Sequence, residues 1–167
     1  MAGRAPKRRR RRPAPRGARF AVVAARFNER ITKKLVEGAL HVFGAAGVEA
    51  DAVEVHWVPG SFELPQAAAI LAGSGRYAAL ACVGCVIRGQ TPHFEHVARE
   101  AAAGIQRVAL QTGVPAAFGL ITALTEEQAW ERAGGEVGNR GEEAAHAALE
   151  MAAFKRSVGG HGTAPKG

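Results

Sequence analysis

The hexapeptide Arg88-Gly89-Gln90-Thr91-Pro92-His93 carries the residue types needed to move protons beside a bound anion. Gly89 permits a tight turn, and the amides that follow would open a helix whose positive dipole end favours a phosphate. Thr91 is an N-cap type directly before a proline suited to the first helical position, so Gln90 and Thr91 would lie at the mouth of that helix. His93 would stand one turn inside, where an imidazole with an ordinary pKa of about 6.5 can give and take protons at neutral pH. The competing reading of His93 is a plain surface residue on a helix. Arg88 could contact phosphate or belong to a structural ion pair. His96 follows three residues after His93, but the metalloprotease spacing is H-E-x-x-H and no third ligand is suggested nearby, so no metal site is expected.

Other segments offer related chemistry. In RFNER, Phe27 would sit at the end of a strand, where its face could stack on a planar heterocycle; taken alone it reads as a core residue. In PGSFE, the amides of Gly60 and Ser61 and the carboxylate of Glu63 could bind a polar ring edge, while Glu63 serves equally well as first-turn charge on a helix dipole. Arg132 falls in the last turn of a short helix, where a cation is favoured anyway, and it is also the side chain that grips phosphate through paired hydrogen bonds. Cys82 and Cys85 spell C-x-x-C, a redox signature in some cytosolic proteins. Here they lie in the apolar run YAALACVGCVI, which reads as a buried strand. Residues three apart on a strand face opposite sides roughly 10 Å apart, beyond the Cα separation of about 4.4–6.8 Å that a disulfide needs.

Strand-like apolar runs alternate with helix-period segments, the pattern of a parallel sheet covered on both faces. Strands are expected over residues 19–25, 52–58, 77–87 and 116–122. The first helix repeats Ile31, Leu35, Ala39 and Phe43 and ends near Gly44 and Gly47. A second is expected to be capped by Ser61 and to run through Phe62, Leu64, Ala68 and Leu71 to Gly73. A third, long helix carries Val97, Ala101, Ile105 and Val108 on one face. Thr125 and Gln128 form a T-x-x-Q capping box for a short helix to Ala133, and a last helix is expected over residues 139–154. The fold class is therefore α/β: a three-layer αβα sandwich with a four-stranded parallel sheet in flavodoxin-like strand order. In such a sheet the ligand crevice lies beyond the carboxyl ends of the strands, at residues 26–30, 59–63, 88–93 and 123–125.

A chain of 167 residues is about one domain long. Its net charge of +7 is unevenly placed: residues 1–19 hold nine basic side chains and no acidic one, leaving 13 basic against 15 acidic in the remainder. The folded part thus shows no sign of a nucleic-acid surface. Residues 1–17, rich in Arg and Pro, and residues 157–167, small and polar, are expected to be disordered tails around a domain of residues 18–156. With no stretch of about 18 apolar residues and no signal-peptide pattern, no membrane contact is expected and the protein should be cytoplasmic.

The segments ARFN, VPGSFELP, GCVIRGQTPHFEHV, FGLIT, EQAWERAG and GNRGEEAA resemble the lumazine synthase family, in the same order and at similar spacing from about residue 19 to residue 155. The resemblance implies condensation of 5-amino-6-ribitylamino-pyrimidinedione with 3,4-dihydroxy-2-butanone 4-phosphate to 6,7-dimethyl-8-ribityllumazine, with no cofactor and no metal. By motif position it implies that Phe27 stacks on the pyrimidine and that Ser61, Phe62 and Glu63 contact its ring and ribityl chain. Cys85, Val86 and Ile87 match the strand end lining the same pocket, Gln90 and Thr91 the phosphate loop, and Arg132 its basic clamp. His93 matches the proton-transfer residue, and Phe118 an aromatic supplied by the neighbouring subunit, which puts the site between subunits. His96 and Arg140 depart from the family pattern, an aromatic and a lysine being usual there. Similar enzymes form pentamers, in many species closed into a 60-subunit icosahedral shell. Two other functions remain open on the sequence: the related archaeal-type riboflavin synthase, and a shell that packages nucleic acid, its Arg-rich tail binding polyanions weakly.

Overall fold

Four apolar runs become four parallel strands, β1 (Phe20–Ala25), β2 (Val53–Val58), β3 (Ala79–Ile87) and β4 (Ala116–Ala123), in the order β2-β1-β3-β4. The computed structural model describes residues 13–159. β1 and β3 lie at the centre, and every residue of FAVVAA in β1 is buried, which is why these strands read as continuous apolar runs instead of alternating ones. The register pairs Phe20 with both Val53 and Ala79, and Leu80 with Ala116, so the four strands start and finish nearly level.

The connecting helices are α1 (Glu29–Ala45), α2 (Leu64–Gly73), α3 (His93–Thr112), the short α4 (Glu126–Glu131) and α5 (Arg140–Gly159). Alternate β1 residues feed two cores. Phe20, Val22 and Ala24 pack with Leu35 and Phe43 of α1 and Ala148 of α5, whereas Ala21, Val23 and Ala25 pack with Leu64 and Ala68 of α2 and Ile105 of α3. The result is the expected three-layer sandwich with strand order 2-1-3-4, the arrangement of flavodoxin-like sheets. Cys82 joins the α2/α3 core and Cys85 the α1/α5 core, so the two thiols face opposite layers. Burial pushes both up to about 12, with Glu126 adding to the rise at Cys85, which keeps them as inert thiols at neutral pH.

Local details correct several expectations. Ser61 caps no helix: Ser61–Glu63 form a 3-10 turn and α2 begins only at Leu64, because Pro65 occupies the first turn of the helix, where its fixed φ and missing N–H are tolerated. Thr91 makes no cap hydrogen bond either; Pro92 is itself the N-cap and accepts from the Glu95 N–H at 3.0 Å. His93 is thus the first residue of α3 and not one turn inside it. The Thr125 hydroxyl accepts from the Gln128 N–H at 3.3 Å as expected, but Gln128 reaches back to the Leu124 N–H at 2.9 Å, one residue beyond a true capping box. A small hairpin, β5 (Ala133–Gly135) with β6 (Gly138–Asn139), joins α4 to α5 and has no apolar pattern by which to foresee it. Asn139 caps α5, its Oδ1 accepting from the N–H groups of Gly141 and Glu142. That helix continues to Gly159, past residue 154 where its apolar period fades. The expectation of disordered ends falls largely on residues 1–12 and 160–167, outside the described residues. Residues 13–17 are held to the domain through the Ala14 N–H, which donates to Ala46 O at 3.1 Å. Among the described residues no helix is long and apolar enough to cross a membrane.

Candidate active site

At the carboxyl ends of the strands the sheet's pairing continues into the loops. The Arg26 N–H donates to Val58 O at 2.8 Å and the Phe27 N–H to Pro59 O at 3.1 Å, which ties the RFN loop to the PGSFE loop. Phe27 is 71% exposed and Phe62 60%, so neither is a core residue; two aromatic rings stand open at one edge of the crevice. Gly60 lies between them and Glu63: a Cβ there would sit 3.2 Å from Glu63 Oε2 and 4.0 Å from Phe27 Cβ. The Ser61 side chain turns inward, is buried, and its Oγ finds no hydrogen-bond partner among the described residues. It packs onto Gly84 of β3, where a Cβ would come within 2.9 Å of that oxygen. What the loop can present outward is therefore the Glu63 carboxylate and the first N–H groups of the 3-10 turn, which have no partner inside the turn.

The same loops are bound to β3 by a residue that the sequence reading left without a role. Asn28 adopts a left-handed conformation, φ 59°, which asparagine tolerates better than most side chains, and its Nδ2 donates to Cys85 O at 2.9 Å. The bond fixes the Phe27 loop against the end of β3, where Cys85 is buried and Val86 and Ile87 are half-buried. The only hint in the sequence was an asparagine standing between a strand and a helix.

Beyond β3, Gln90 and Thr91 line a pocket of about 180 Å³ with Arg88, Gly89, Pro92, Phe94 and Glu95. His93 is exposed at the mouth of α3, next to this pocket in sequence but not among its walls, and its side chain bonds to no described residue. Arg132 and Phe118 lie elsewhere. They line a second pocket, of about 360 Å³, along the free edge of β4, with Leu120, Ile121, Thr122, Arg140 and Glu143. Phe118 is 49% exposed there. Arg132 stands one residue past α4 and uses Nη1 to cap it, donating to Gln128 O at 2.9 Å. Its carbonyl accepts from the Arg140 N–H at 2.9 Å, and Arg140 Nη1 meets Glu143 Oε2 at 2.5 Å. Arg140 and Glu143 are thus pocket residues that motif reading did not assign; the guanidinium at position 140 keeps the positive charge that a lysine would supply.

Within one chain, then, Phe27, Phe62, Glu63 and Cys85 come together at the ends of β1, β2 and β3, while Gln90 and Thr91 share a pocket beside them. Phe118 and Arg132 share another, and neither of these two pockets holds Arg132 together with the helix mouth. Among the described residues no three His, Cys, Asp or Glu side chains are grouped closely enough to hold a metal ion. A family model described as 6,7-dimethyl-8-ribityllumazine synthase matches residues 17–156, which includes every one of these positions.

Proposed function

The chain belongs to the 6,7-dimethyl-8-ribityllumazine synthase family, and on that premise we propose that it condenses 5-amino-6-ribitylamino-pyrimidinedione with 3,4-dihydroxy-2-butanone 4-phosphate, releasing water and phosphate. The observation that carries the reading is the division of the site residues between two pockets, one at the α3 mouth and one on the free edge of β4. Each is incomplete alone. Set against each other across a boundary between two copies of the chain, they supply an aromatic plate, a proton carrier and a basic clamp to one cavity.

In this arrangement Phe27 stacks on the pyrimidine, and Glu63, with the Ser61 and Phe62 backbone, binds its polar edge and ribityl chain; the Ser61 hydroxyl takes no part, being turned onto Gly84. Cys85, Val86 and Ile87 form the floor. Gln90, Thr91 and the N-terminus of α3 receive the phosphate of the ketone, with Arg132 closing over it from the neighbouring copy alongside Phe118. An amine adds to the ketone, one water leaves and phosphate is expelled. The ribityl-bearing nitrogen then closes the ring on the remaining carbonyl with loss of a second water, each step needing a proton placed or removed. His93 at the helix mouth carries those protons, contributing about 10²–10⁴-fold. Holding two reactants in register contributes more, about 7–11 kcal/mol at the limit for well-oriented groups.

The assembly we propose is a pentamer, twelve of which close into a 60-subunit shell, the arrangement that the family resemblance implies. A sedimentation mass of five chains alone would reject the shell. The reaction itself is tested by mixing the purified protein with both substrates and following lumazine fluorescence. Consumption of lumazine in place of its formation would instead assign the archaeal-type riboflavin synthase reaction.

A further inference from the structure

We propose that Asn139 is a positioning residue for the phosphate half of the site: by tying the β5–β6 hairpin to α1, it fixes the backbone that carries Arg132 on the free edge of β4. The inference rests on the phosphate role given to Arg132 above.

The segment around Arg132 has little to hold it in place by itself. α4 is six residues long, the hairpin pairs three residues with two, and Gly134, Gly135 and Gly138 fall within it. A helix this short and an isolated two-stranded hairpin are both marginal in water, and glycine adds backbone freedom. Gly134 and Gly138 stand at φ 113° and 121°, a region other residues rarely enter. A cation that grips a phosphate must nevertheless be held within about 0.5 Å of its working place. The restraint has to come from the body of the domain.

The Asn139 amide makes that connection. Its Nδ2 donates to Lys34 O of α1 at 3.0 Å, while its Oδ1 accepts from the Gly141 N–H at 2.8 Å and the Glu142 N–H at 3.1 Å. One planar group thus joins the hairpin, α1 and the start of α5. A carboxylate could accept the two cap bonds but could not donate to Lys34. Missing side chains make the room: a Cβ on Gly38 of α1 would stand 2.6 Å from both Asn139 Nδ2 and Oδ1, and one on Gly141 would collide with the Leu35 carbonyl. α1 is a firm anchor, because Leu35, Ala39 and Phe43 are fully buried in the core.

The restraint reaches the pocket through the next residues on either strand. Asn139 pairs with Ala133 across the hairpin, and Arg140 donates its N–H to Arg132 O at 2.9 Å. Arg132 and Arg140 both line the pocket with Phe118, whereas Asn139 is not among its walls. Asn139 therefore acts on a ligand there only through the residues it holds.

The test uses the assembled full-length protein and two uncharged substitutions. Asn139→Ser keeps a hydroxyl to cap α5 but is too short to reach Lys34 O. Gly38→Ala retains Asn139 and drives its amide away from the α1 side. Each should raise KM for the phosphorylated ketone about 10-fold, within the roughly 100-fold that about 1 Å of misplacement can cost. Inorganic phosphate should bind more weakly by the same factor in calorimetric titration. The pyrimidinedione, held at Phe27 and Glu63, should bind nearly as it does to the parent. The inference is overturned if both variants bind phosphate as the parent does, or if both substrates weaken equally. A fall in kcat with both KM values unchanged would also overturn it, since that marks a smaller folded fraction and no displaced clamp. Phosphate affinity is measured without turnover, so it decides the role of Asn139 even where the parent forms no lumazine, a result that would refute the reaction alone.

Discussion

The two ends of the sheet treat their polar groups in opposite ways. At the amino end, Glu54 on the edge strand β2 receives Tyr77, Arg19 and Arg76 together, and His56 Nε2 approaches it at 3.2 Å. The hydrogen bond from Tyr77, then that from Arg19, hold its carboxyl down at about 2, while burial and the Glu54 bond raise the Tyr77 hydroxyl. At the carboxyl end, the His93 side chain has no partner among the described residues, and Phe27 and Phe62 lie open. Polar groups that satisfy one another stabilise the fold; those left unpaired by the fold are available to a ligand, at a cost in stability that the opposite end helps to offset.

Substitutions at the open end should change chemistry, and those at the closed end stability. The largest effect is expected from His93→Ala, which should lower kcat about 10²–10⁴-fold and leave pyrimidine affinity nearly intact. Parallel rate and titration measurements check this, and an equal loss in both would remove His93 from proton transfer. Arg132→Ala should raise KM for the phosphorylated ketone roughly 10–100-fold, the worth of about 1.5–3 kcal/mol in hydrogen bonds to a charged group. Unchanged kinetics for that substrate would refute the clamp.

Gly84→Ala sits between the two regimes. Its new methyl would meet Ser61 Oγ at 2.9 Å, Ala25 Cβ at 3.1 Å and Leu120 Cδ1 at 3.2 Å, so denaturant melts should show a loss of about 1–3 kcal/mol. Pyrimidine binding should weaken with it as the PGSFE loop is pushed off β3; intact affinity would mean that the loop rides independently of the strand. The smallest change belongs to Glu54→Gln. A carboxyl lowered on folding lends stability above its ordinary value of 4.5, and that stability is lost as pH falls towards about 2. The variant should be less stable than the parent at neutral pH, and the gap should close across that window in acid melts. A gap independent of pH would show that Glu54 acts by packing and not by charge.

Much of this was legible in residue order. The apolar runs of β1 and β3 announced central strands, and the helical periods of α1 and α3 announced the covering layers, because a side chain that must be buried cannot be hidden from its neighbours' spacing. Caps were read less well. Ser61 and Thr91 have the right chemistry for an N-cap, but Pro65 and Pro92 set where the backbone turns helical, and the hydroxyls were left outside. Phe27 and Phe62 illustrate the reverse difficulty, since nothing local distinguishes a phenylalanine kept in solvent from one in a core.

The order of residues determined the layers, the strand count, the loops at which chemistry is possible and the family. These follow from local spacing and side-chain type, which the chain carries wherever it is. The fold alone decided that Ser61 faces Gly84, that Asn28 locks the Phe27 loop to Cys85, and that Arg132 shares its pocket with Phe118 and Arg140 on the free edge of β4. Those are meetings between residues as many as 57 positions apart, set by strand register and helix packing, and no local pattern encodes the direction in which a side chain finally points.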